Sequence, residues 1–182
     1  GAINEVASIM FWASRRVEDS AGRERPPLPI ILMGKTGGAK STIVRNLSRI
    51  TGAPLHTLHC YDNMEPDALF AGMGIAQKGK ERKILFSLRE FFSHLGKING
   101  QYYYPAGKNS HSARKILFLD EANVSPQILY CLKPLFRGER NFTFYLFGEK
   151  FTVELDPEVV LVIAGNPAET HAGRKSFPWE II

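Results

Sequence analysis

The sequence predicts an α/β protein built on a parallel β-sheet. Two observations support this prediction. Short aliphatic runs, which end at a glycine or at carboxylates, alternate with segments of helical period, and 44% of the 182 residues are apolar. That apolar fraction is sufficient for the core of one domain. Strands that are buried on both faces show continuous apolar runs, so the alternation favours a parallel sheet with helices packed on it.

Composition and charge exclude several other classes of protein. Charged residues make up 23% of the chain, and its longest aliphatic run, at 30–33, is far shorter than the roughly 18 residues of a membrane span. Its first residues show no basic segment followed by an apolar core and a small-residue cleavage site, so the sequence gives no indication of secretion. Cys60 and Cys131 lie outside any paired spacing, and His56 and His59 have no further ligand at metal-binding spacing. We therefore expect an intracellular protein, cytoplasmic or nuclear, with no membrane partner, disulfide framework or zinc site.

The first half of the chain predicts a short extension followed by the start of the sheet. Apolar residues on one helical face, a polar and proline-rich stretch, aliphatic runs and Pro or Gly stop signals define the elements. They are a helix at 1–17, a linker at 19–29, a strand at 28–33, a helix at 41–50, a strand at 55–60 and a small helix at 66–72. We divide the chain into an extension, residues 1–27, and one domain, residues 28–182.

The second half of the chain continues the alternation. Ile84, Leu88 and Leu95 recur at helical spacing, and Ser125 with Pro126 is typical of a helix start. The elements are a helix at 83–95 that ends at Gly96, a loop at 97–114, a strand at 115–119, a helix from 126 to about 136, hairpin strands at 142–147 and 151–155, and a strand at 159–164.

Residues 34–41 nearly match the P-loop, or Walker A, pattern of a glycine, four residues, then Gly, Lys and Ser or Thr. In this motif the backbone N–H groups surround phosphate at a helix N-terminus, the lysine reaches the β- and γ-phosphate oxygens, and the hydroxyl binds Mg²⁺. Lys40 and Ser41 take the last two roles. The candidate nucleotide-binding residues are Gly34, Lys35, Thr36, Gly37, Gly38, Ala39, Lys40, Ser41 and Thr42.

Ala39 is the one departure from the P-loop pattern, because it occupies the position of the second glycine. Where that position requires a positive φ, a Cβ costs about 1 kcal/mol or more. The sequence leaves open whether Ala39 weakens nucleotide binding.

Two polar sites follow the strands predicted later in the chain. Residues 116–119 are apolar and lead directly into Asp120 and Glu121, a Walker B pattern. Asp120 would hold Mg²⁺ together with Ser41, and Glu121 would act as general base on the attacking water. Asn166 follows the strand at 159–164 and would bind that water or the γ-phosphate. The candidate catalytic residues are therefore Glu121 and Asn166, and the candidate metal ligands are Ser41 and Asp120.

Together, the P-loop, the segment 119–123 and the segment 164–167 resemble an AAA+ ATPase module over residues 29–177. The sequence is most similar to the dynein-related branch, which includes midasin, MoxR-type ATPases and the McrB restriction motor, and to the modules of mysterin-type giant ligases. The resemblance implies a sheet order of 5-1-4-3-2, Asn166 as sensor 1, and an ATP-driven ring with other AAA+ modules of the same chain or of neighbouring subunits.

Two departures from that family are expected. The chain stops at Ile182, whereas family members continue to an arginine finger, a fifth strand and a helical lid. We therefore expect a fragment without the lid, and Arg174 is not assigned as the finger. The family often has a shorter hairpin where this sequence predicts the helix at 83–95 and a loop with three tyrosines at 102–104.

The sequence leaves several functions open. The first is Mg²⁺-dependent ATP binding and hydrolysis coupled to remodelling of a protein or ribonucleoprotein partner. The alternative is a catalytically degenerate AAA+ unit that serves as a nucleotide-binding or structural ring scaffold. Nucleic-acid binding is a third function, through the tyrosines at 102–104 and the basic residues Lys97, Lys108, Arg114 and Lys115. GTP remains compatible as well, because no motif contacts the base.

Overall fold

The structure is a computed structural model that describes residues 17–18, 20–25, 27–35, 37, 39–62, 64–65, 71–88, 94–102, 114–146, 148–167, 177–178 and 180. Its strands, in chain order, are β1 (Val17–Glu18), β2 (Glu24–Arg25), β3 (Ile30–Met33), β4 (Leu55–His59), β5 (Ala71–Lys78), β6 (Glu81–Leu88), β7 (Gly96–Ile98), β8 (Gln101–Tyr102), β9 (Lys115–Asp120), β10 (Asn141–Leu146), β11 (Glu149–Leu155) and β12 (Val159–Gly165). Its helices are α1 (Lys40–Thr51), α2 (Pro126–Cys131) and α3 (Lys133–Phe136), with a 3₁₀ turn at Ala122–Val124. No helix in these ranges has the length and apolar character of a membrane span.

The central sheet has four parallel strands in the order β3-β12-β9-β4. In chain order these strands are the first, fourth, third and second of the sheet. The prediction of a parallel α/β fold is confirmed, and the arrangement matches the order 1-4-3-2 that the family resemblance implied. No fifth strand joins this sheet among the described residues.

The two inner strands, β9 and β12, are buried on both faces. Ile116 and Phe118 of β9 pack on the side of α1, while Leu117 and Leu119 pack on the opposite side with α2, α3 and β10. Each fully buried side chain of this size contributes about 1.5–3 kcal/mol to folding. This double burial explains why both strands are continuous apolar runs in the sequence.

Helix α1 covers one face of the sheet with Ile43, Val44 and Leu47. The helix ends at Gly52, whose φ of 71° places it in the left-handed region favoured at this position. Its first residue is Lys40, directly after the glycine-rich loop. The packing of α1 on the sheet therefore fixes the position of Lys40, the P-loop lysine, at the start of the helix.

The helix predicted at 83–95 is wrong. Residues 71–78 and 81–88 instead form an antiparallel hairpin, β5 and β6, in which Lys78 pairs with Glu81. Only Gly79 and Lys80 lie between the strands, and Gly79 has a φ of 65°, a feature of two-residue hairpin turns. The apolar residues near 84–88 fit a helical period, but a short apolar run fits a strand equally well. The helical part of the departure expected from the family is therefore wrong, while residues 89–93 and the tyrosines at 103–104 lie outside the described ranges.

Gly96, expected to end that helix, instead lies in β7, which pairs with β11. A Cβ at Gly96 would lie 1.9 Å from the carbonyl oxygen of Glu154. The glycine is required here by the close approach of a neighbouring strand rather than by a helix terminus. Part of the loop predicted at 97–114 is likewise ordered, because β7 pairs with β8.

The single helix predicted after Ser125 is divided into α2 and α3. Pro134 cannot donate a backbone hydrogen bond to Tyr130 four residues earlier, and its ring would clash with that carbonyl. Ser125 lies at the N-cap position of α2, but its side chain does not cap the helix. Its hydroxyl instead donates to the carbonyl oxygen of Met64.

The remaining predictions have mixed outcomes. The hairpin near the end of the chain is confirmed as β10 and β11. Val17, expected in the N-terminal helix, pairs with Arg25 across β1 and β2, so the predicted linker contains a strand. Gly72, expected to end the small helix, lies in β5. The rest of those two helices, residues 1–16 and 66–70, lies outside the described ranges, and the division between residues 27 and 28 stays a prediction.

Candidate functional site

A cleft of about 260 Å³ lies at the edge of the sheet where β9 and β12 end. Side chains at the carboxyl ends of neighbouring parallel strands meet at one edge, which is where open α/β sheets bind ligands. Within the part of the chain that the structure describes, all the residues that line this cleft belong to the set selected from the sequence. They are Gly37, Ala39, Lys40, Ser41, Thr42, Asp120, Glu121 and Asn166.

Among the described residues of the loop between β3 and α1, two lie in the left-handed region, Gly37 with a φ of 78° and Ala39 with a φ of 63°. The first backbone N–H of the loop, that of Gly34, donates to the carbonyl oxygen of Gly165 at 3.3 Å. The loop is therefore attached to the end of β12. Thr36 and Gly38, the other two candidates in this loop, lie outside the described residues.

Ala39 occupies the strained conformation that the sequence suggested. We expect Ala39→Gly to raise the free energy of unfolding by about 0.5–1 kcal/mol, because relief of a left-handed cost of about 1–2 kcal/mol exceeds the added entropy of the unfolded glycine. Urea unfolding with an unchanged m-value would measure the gain. Ala53→Gly is the matched control, since Ala53 is buried and lacks a positive φ, so this change should destabilise the protein. An Ala39→Gly variant that is less stable than the parent would show that the left-handed conformation of Ala39 does not destabilise the protein.

Lys40 is held by three oxygen acceptors. Its Nζ donates to the carbonyl oxygens of Gly34 at 2.7 Å and Lys35 at 2.9 Å, and to Oδ1 of Asn166 at 2.6 Å. These bonds to an ammonium group are charge-assisted and therefore among the stronger hydrogen bonds in proteins. The structure thus holds the positive charge at the cleft, with the ammonium group already surrounded by oxygen atoms. Gly34 and Lys35, although outside the cleft lining, contribute to the site through their carbonyl groups.

Ser41 and Asp120 lie at one end of the cleft, and His59, which does not line the cleft, contacts Asp120. The Ser41 hydroxyl donates to Oδ2 of Asp120 at 3.4 Å, and Nδ1 of His59 lies 3.3 Å from the same oxygen. The second oxygen of Asp120 accepts the backbone N–H of Glu121 at 3.0 Å. A hydroxyl and a carboxylate are hard oxygen ligands of the kind that Mg²⁺ binds through a few protein contacts, with water and phosphate supplying the rest. The pair Ser41 and Asp120 therefore fits a magnesium ion.

Glu121 and Asn166 meet beside Lys40. Nδ2 of Asn166 donates to Oε1 of Glu121 at 3.4 Å, while its Oδ1 accepts from Lys40. The Asn166 amide therefore bridges the cation and the carboxylate. Glu121 has a φ of 56°, an uncommon left-handed conformation for a residue with a long side chain. Backbone strain of this kind clusters at functional sites.

Two residues of the site were missed from the sequence. His59 ends β4 and is in register with Asp120 on β9, so only the strand pairing places it next to the carboxylate. Asn123 is completely buried, and its side chain forms two hydrogen bonds with the backbone of Asn166. The order of strands in the sheet, which the family resemblance implied, was the available signal for His59, and the signal for Asn123 was its place in the segment 119–123 that carries the resemblance.

Cys60 follows His59 and lies beneath the carboxylates, but it is not a candidate nucleophile. Burial, together with the charges of Asp120 and Glu121, raises the pKa of its thiol to about 12. The thiol therefore remains protonated at neutral pH, and the thiolate is the reactive form of cysteine.

Comparison with known families identifies this arrangement. Residues 29–178 match the family model of the AAA domain, dynein-related subfamily. The chain belongs to this family. The match confirms the resemblance stated from the motifs and supports nucleotide binding by the AAA domain. A comparison with curated proteins gives no significant match.

The structure of the AAA domain also corrects one expectation about nucleic acid. Lys115 is 3% exposed, at the start of β9, and desolvation by burial lowers the pKa of its ammonium group. This lysine therefore does not face solvent, where it could neutralise phosphate groups. Tyr103, Tyr104 and Lys108 of the same alternative, as well as Arg174, lie outside the described residues.

Proposed function

We propose that this AAA domain binds Mg²⁺-ATP at the cleft and hydrolyses it. The observation that carries the proposal is the convergence of a P-loop lysine, two carboxylates and one amide at the ends of neighbouring strands. Lys40, Asp120, Glu121 and Asn166 come from three different segments, yet they line a single cleft. This combination of a cation, a metal-binding pair, a base and a polar amide is typical of phosphoryl transfer to water.

Binding follows from the groups at the N-terminus of α1. The backbone N–H groups at the start of a helix bind anions, and Lys40 supplies the positive charge beside them. Phosphate oxygens would replace some of the carbonyl and amide oxygens that Lys40 now contacts. Ser41 and Asp120 would hold the Mg²⁺ ion, which neutralises charge on the phosphates when bound. ATP is the proposed nucleotide, and GTP is the comparison, because the cleft residues contact phosphate rather than a base.

Hydrolysis requires a base and a group that orients water. The Glu121 carboxylate would accept a proton as the water oxygen forms its bond to the γ-phosphorus and the bond to the bridging oxygen of ADP breaks. Asn166, within hydrogen-bonding distance of both Glu121 and Lys40, would orient the water or the γ-phosphate. Positioning and charge stabilisation provide most of the rate enhancement in reactions of this class.

The further parts of the proposal concern the assembly. An arginine supplied by another module accelerates related nucleotide hydrolysis by about 10³–10⁵-fold. We propose that such a module lies beside this one in a ring, within the same chain or in a neighbouring subunit, and that hydrolysis drives remodelling of a protein or ribonucleoprotein. We therefore expect slow hydrolysis by residues 1–182 alone.

A thermal unfolding experiment tests nucleotide binding directly. We expect Mg²⁺-ATP at about 100 times its Kd to stabilise the folded chain by about 2.7 kcal/mol, because the ligand binds only the folded state. For a chain of this size the Tm would rise by about 5 °C or more. Mg²⁺ alone, ATP with EDTA, and Mg²⁺-GTP are the comparisons.

The result also separates the proposal from a purely structural scaffold, the form of the alternative that binds no nucleotide. The strained Ala39 is the feature that favours a degenerate unit. An unchanged Tm in the presence of millimolar Mg²⁺-ATP and Mg²⁺-GTP would reject nucleotide binding and favour that alternative.

A further inference from the structure

Asn123 is not among the residues that line the cleft, but it is close to Glu121 in the chain and is hydrogen-bonded to Asn166, the two catalytic candidates. It follows Glu121 by two residues, in the 3₁₀ turn after β9, and its side chain is completely buried. Its Nδ2 donates to the carbonyl oxygen of Asn166 at 2.8 Å, and its Oδ1 accepts the backbone N–H of Asn166 at 3.1 Å. Both backbone polar groups of Asn166 are therefore bound to one side chain.

This pair of bonds extends the sheet by one residue. The ladder between β12 and β9 reaches Ile163, and the ladder between β12 and β3 reaches Gly165. A primary amide has a donor and an acceptor side by side, so it can pair with the next peptide as a strand would. The backbone of Asn166 is held in this way, and its side-chain amide is held in turn by the hydrogen bonds to Lys40 and Glu121.

The surroundings of Asn123 leave little space for another arrangement. A Cβ on Gly165 would lie 3.1 Å from Oδ1 of Asn123 and 3.0 Å from Sδ of Met33. The Asn123 amide can therefore occupy its position because residue 165 is a glycine and has no side chain. The turn itself is fixed by the backbone N–H of Val124, which donates to the carbonyl oxygen of Glu121 at 3.1 Å.

We propose that Asn123 is a positioning residue, which fixes the Asn166 amide between Lys40 and Glu121 and thereby makes the site distinguish ATP from ADP. This inference rests on the proposed function. With the Asn166 backbone fixed, its Oδ1 lies 2.6 Å from Lys40 Nζ, the group that reaches the β- and γ-phosphate oxygens. Asn166 is therefore placed to contact the terminal phosphate, which ADP lacks.

A double-mutant cycle tests the inference. Fluorescent Mg²⁺-ATP and Mg²⁺-ADP are titrated into the parent, Asn123→Ala, Asn166→Ala and the double variant. We expect the parent to prefer ATP, and each single variant to lower the ratio of the ADP Kd to the ATP Kd by about tenfold. The double variant should lower this ratio no further, because both changes remove the same interaction, the contact of the Asn166 amide with the terminal phosphate. The affinity for ADP should stay within about twofold, since Lys40 and the loop remain.

Ser125→Ala is the matched control for lost stability. Ser125 is completely buried on the same segment and hydrogen-bonds to a backbone carbonyl, but that carbonyl belongs to Met64. This variant should keep the parent's preference for ATP. If Asn123→Ala does not fold, Gly165→Ala provides the test, because the added methyl displaces the Asn123 amide while leaving it in the chain. It should lower the preference for ATP in the same way.

Four outcomes overturn the inference. A folded Asn123→Ala or Gly165→Ala variant that keeps the parent's ratio would show that the amide does not position Asn166. Additive losses in the double variant would show independent effects. A parent that binds both nucleotides equally would reject the discrimination while leaving nucleotide binding intact, whereas a parent that binds neither would reject the proposed function as well.

Discussion

Lys40→Ala is expected to raise the Kd for Mg²⁺-ATP by about 100-fold or more. Hydrogen bonds to charged groups contribute about 1.5–3 kcal/mol each, and loss of about 2.8 kcal/mol corresponds to 100-fold. The Nζ atom donates to three oxygen atoms in this structure, so it can bind several phosphate oxygens at once. A titration with fluorescent ATP in Mg²⁺ would measure the loss.

Lys35→Ala is the control for that measurement. Lys35 carries the same charge in the same loop, but it is exposed and contributes its carbonyl group rather than its ammonium group to the site. Its replacement should change the Kd by only a few fold, through screened electrostatics. Equal losses in the two variants would show that net charge, rather than the placement of Lys40, controls binding.

Glu121→Gln is expected to abolish most hydrolysis while preserving nucleotide binding. A positioned base contributes about 10²–10⁴-fold to the rate, and glutamine cannot accept the proton from water. Glutamine is similar in size, so it can occupy the same left-handed backbone position at a comparable cost. The free energy of unfolding should therefore stay close to that of the parent. Single-turnover release of phosphate over hours would measure the rate, because turnover by residues 1–182 alone is expected to be slow.

Glu139→Gln provides the matched comparison for the hydrolysis measurement. Glu139 is exposed in the loop before β10, away from the residues that line the cleft. This change should leave the rate unchanged. If Glu121→Gln hydrolysed ATP as fast as the parent did, Glu121 would not be the base, and any activity would have to come from other residues.

The parts of the fold that were predicted correctly are those in which burial dominates the sequence. Strands β9 and β12 are covered on both faces, so nearly every position in them is apolar. Strand β6 was mistaken for a helix because eight residues of mixed polarity satisfy more than one period. The two-residue turn at Gly79 and Lys80 was the local feature that distinguishes a hairpin strand from a helix here. Local patterns thus predict an element well only when the core constrains most of its positions.

The candidate site shows the same distinction. The P-loop and Walker B patterns and the position after the strand at 159–164 selected each described residue that lines the cleft. His59 and Asn123 were missed because their partners lie 61 and 43 residues away in the chain, at Asp120 and Asn166 respectively. Such contacts depend on strand order and register rather than on local spacing. A sequence motif therefore identifies the groups that act on a ligand more readily than the groups that hold them in place.

Strand β12 is hydrogen-bonded along both edges, to β3 and to β9. A strand paired on both sides cannot slide along its axis without breaking two ladders at once, which makes axial movement energetically costly. The end of β12 thus provides a fixed position both for the loop, through the bond from Gly34 to Gly165, and for Asn166 beside the cleft. In a ring of such modules, the sheet would move as one rigid body, and mechanical work would be transmitted at the boundaries between modules rather than within this sheet.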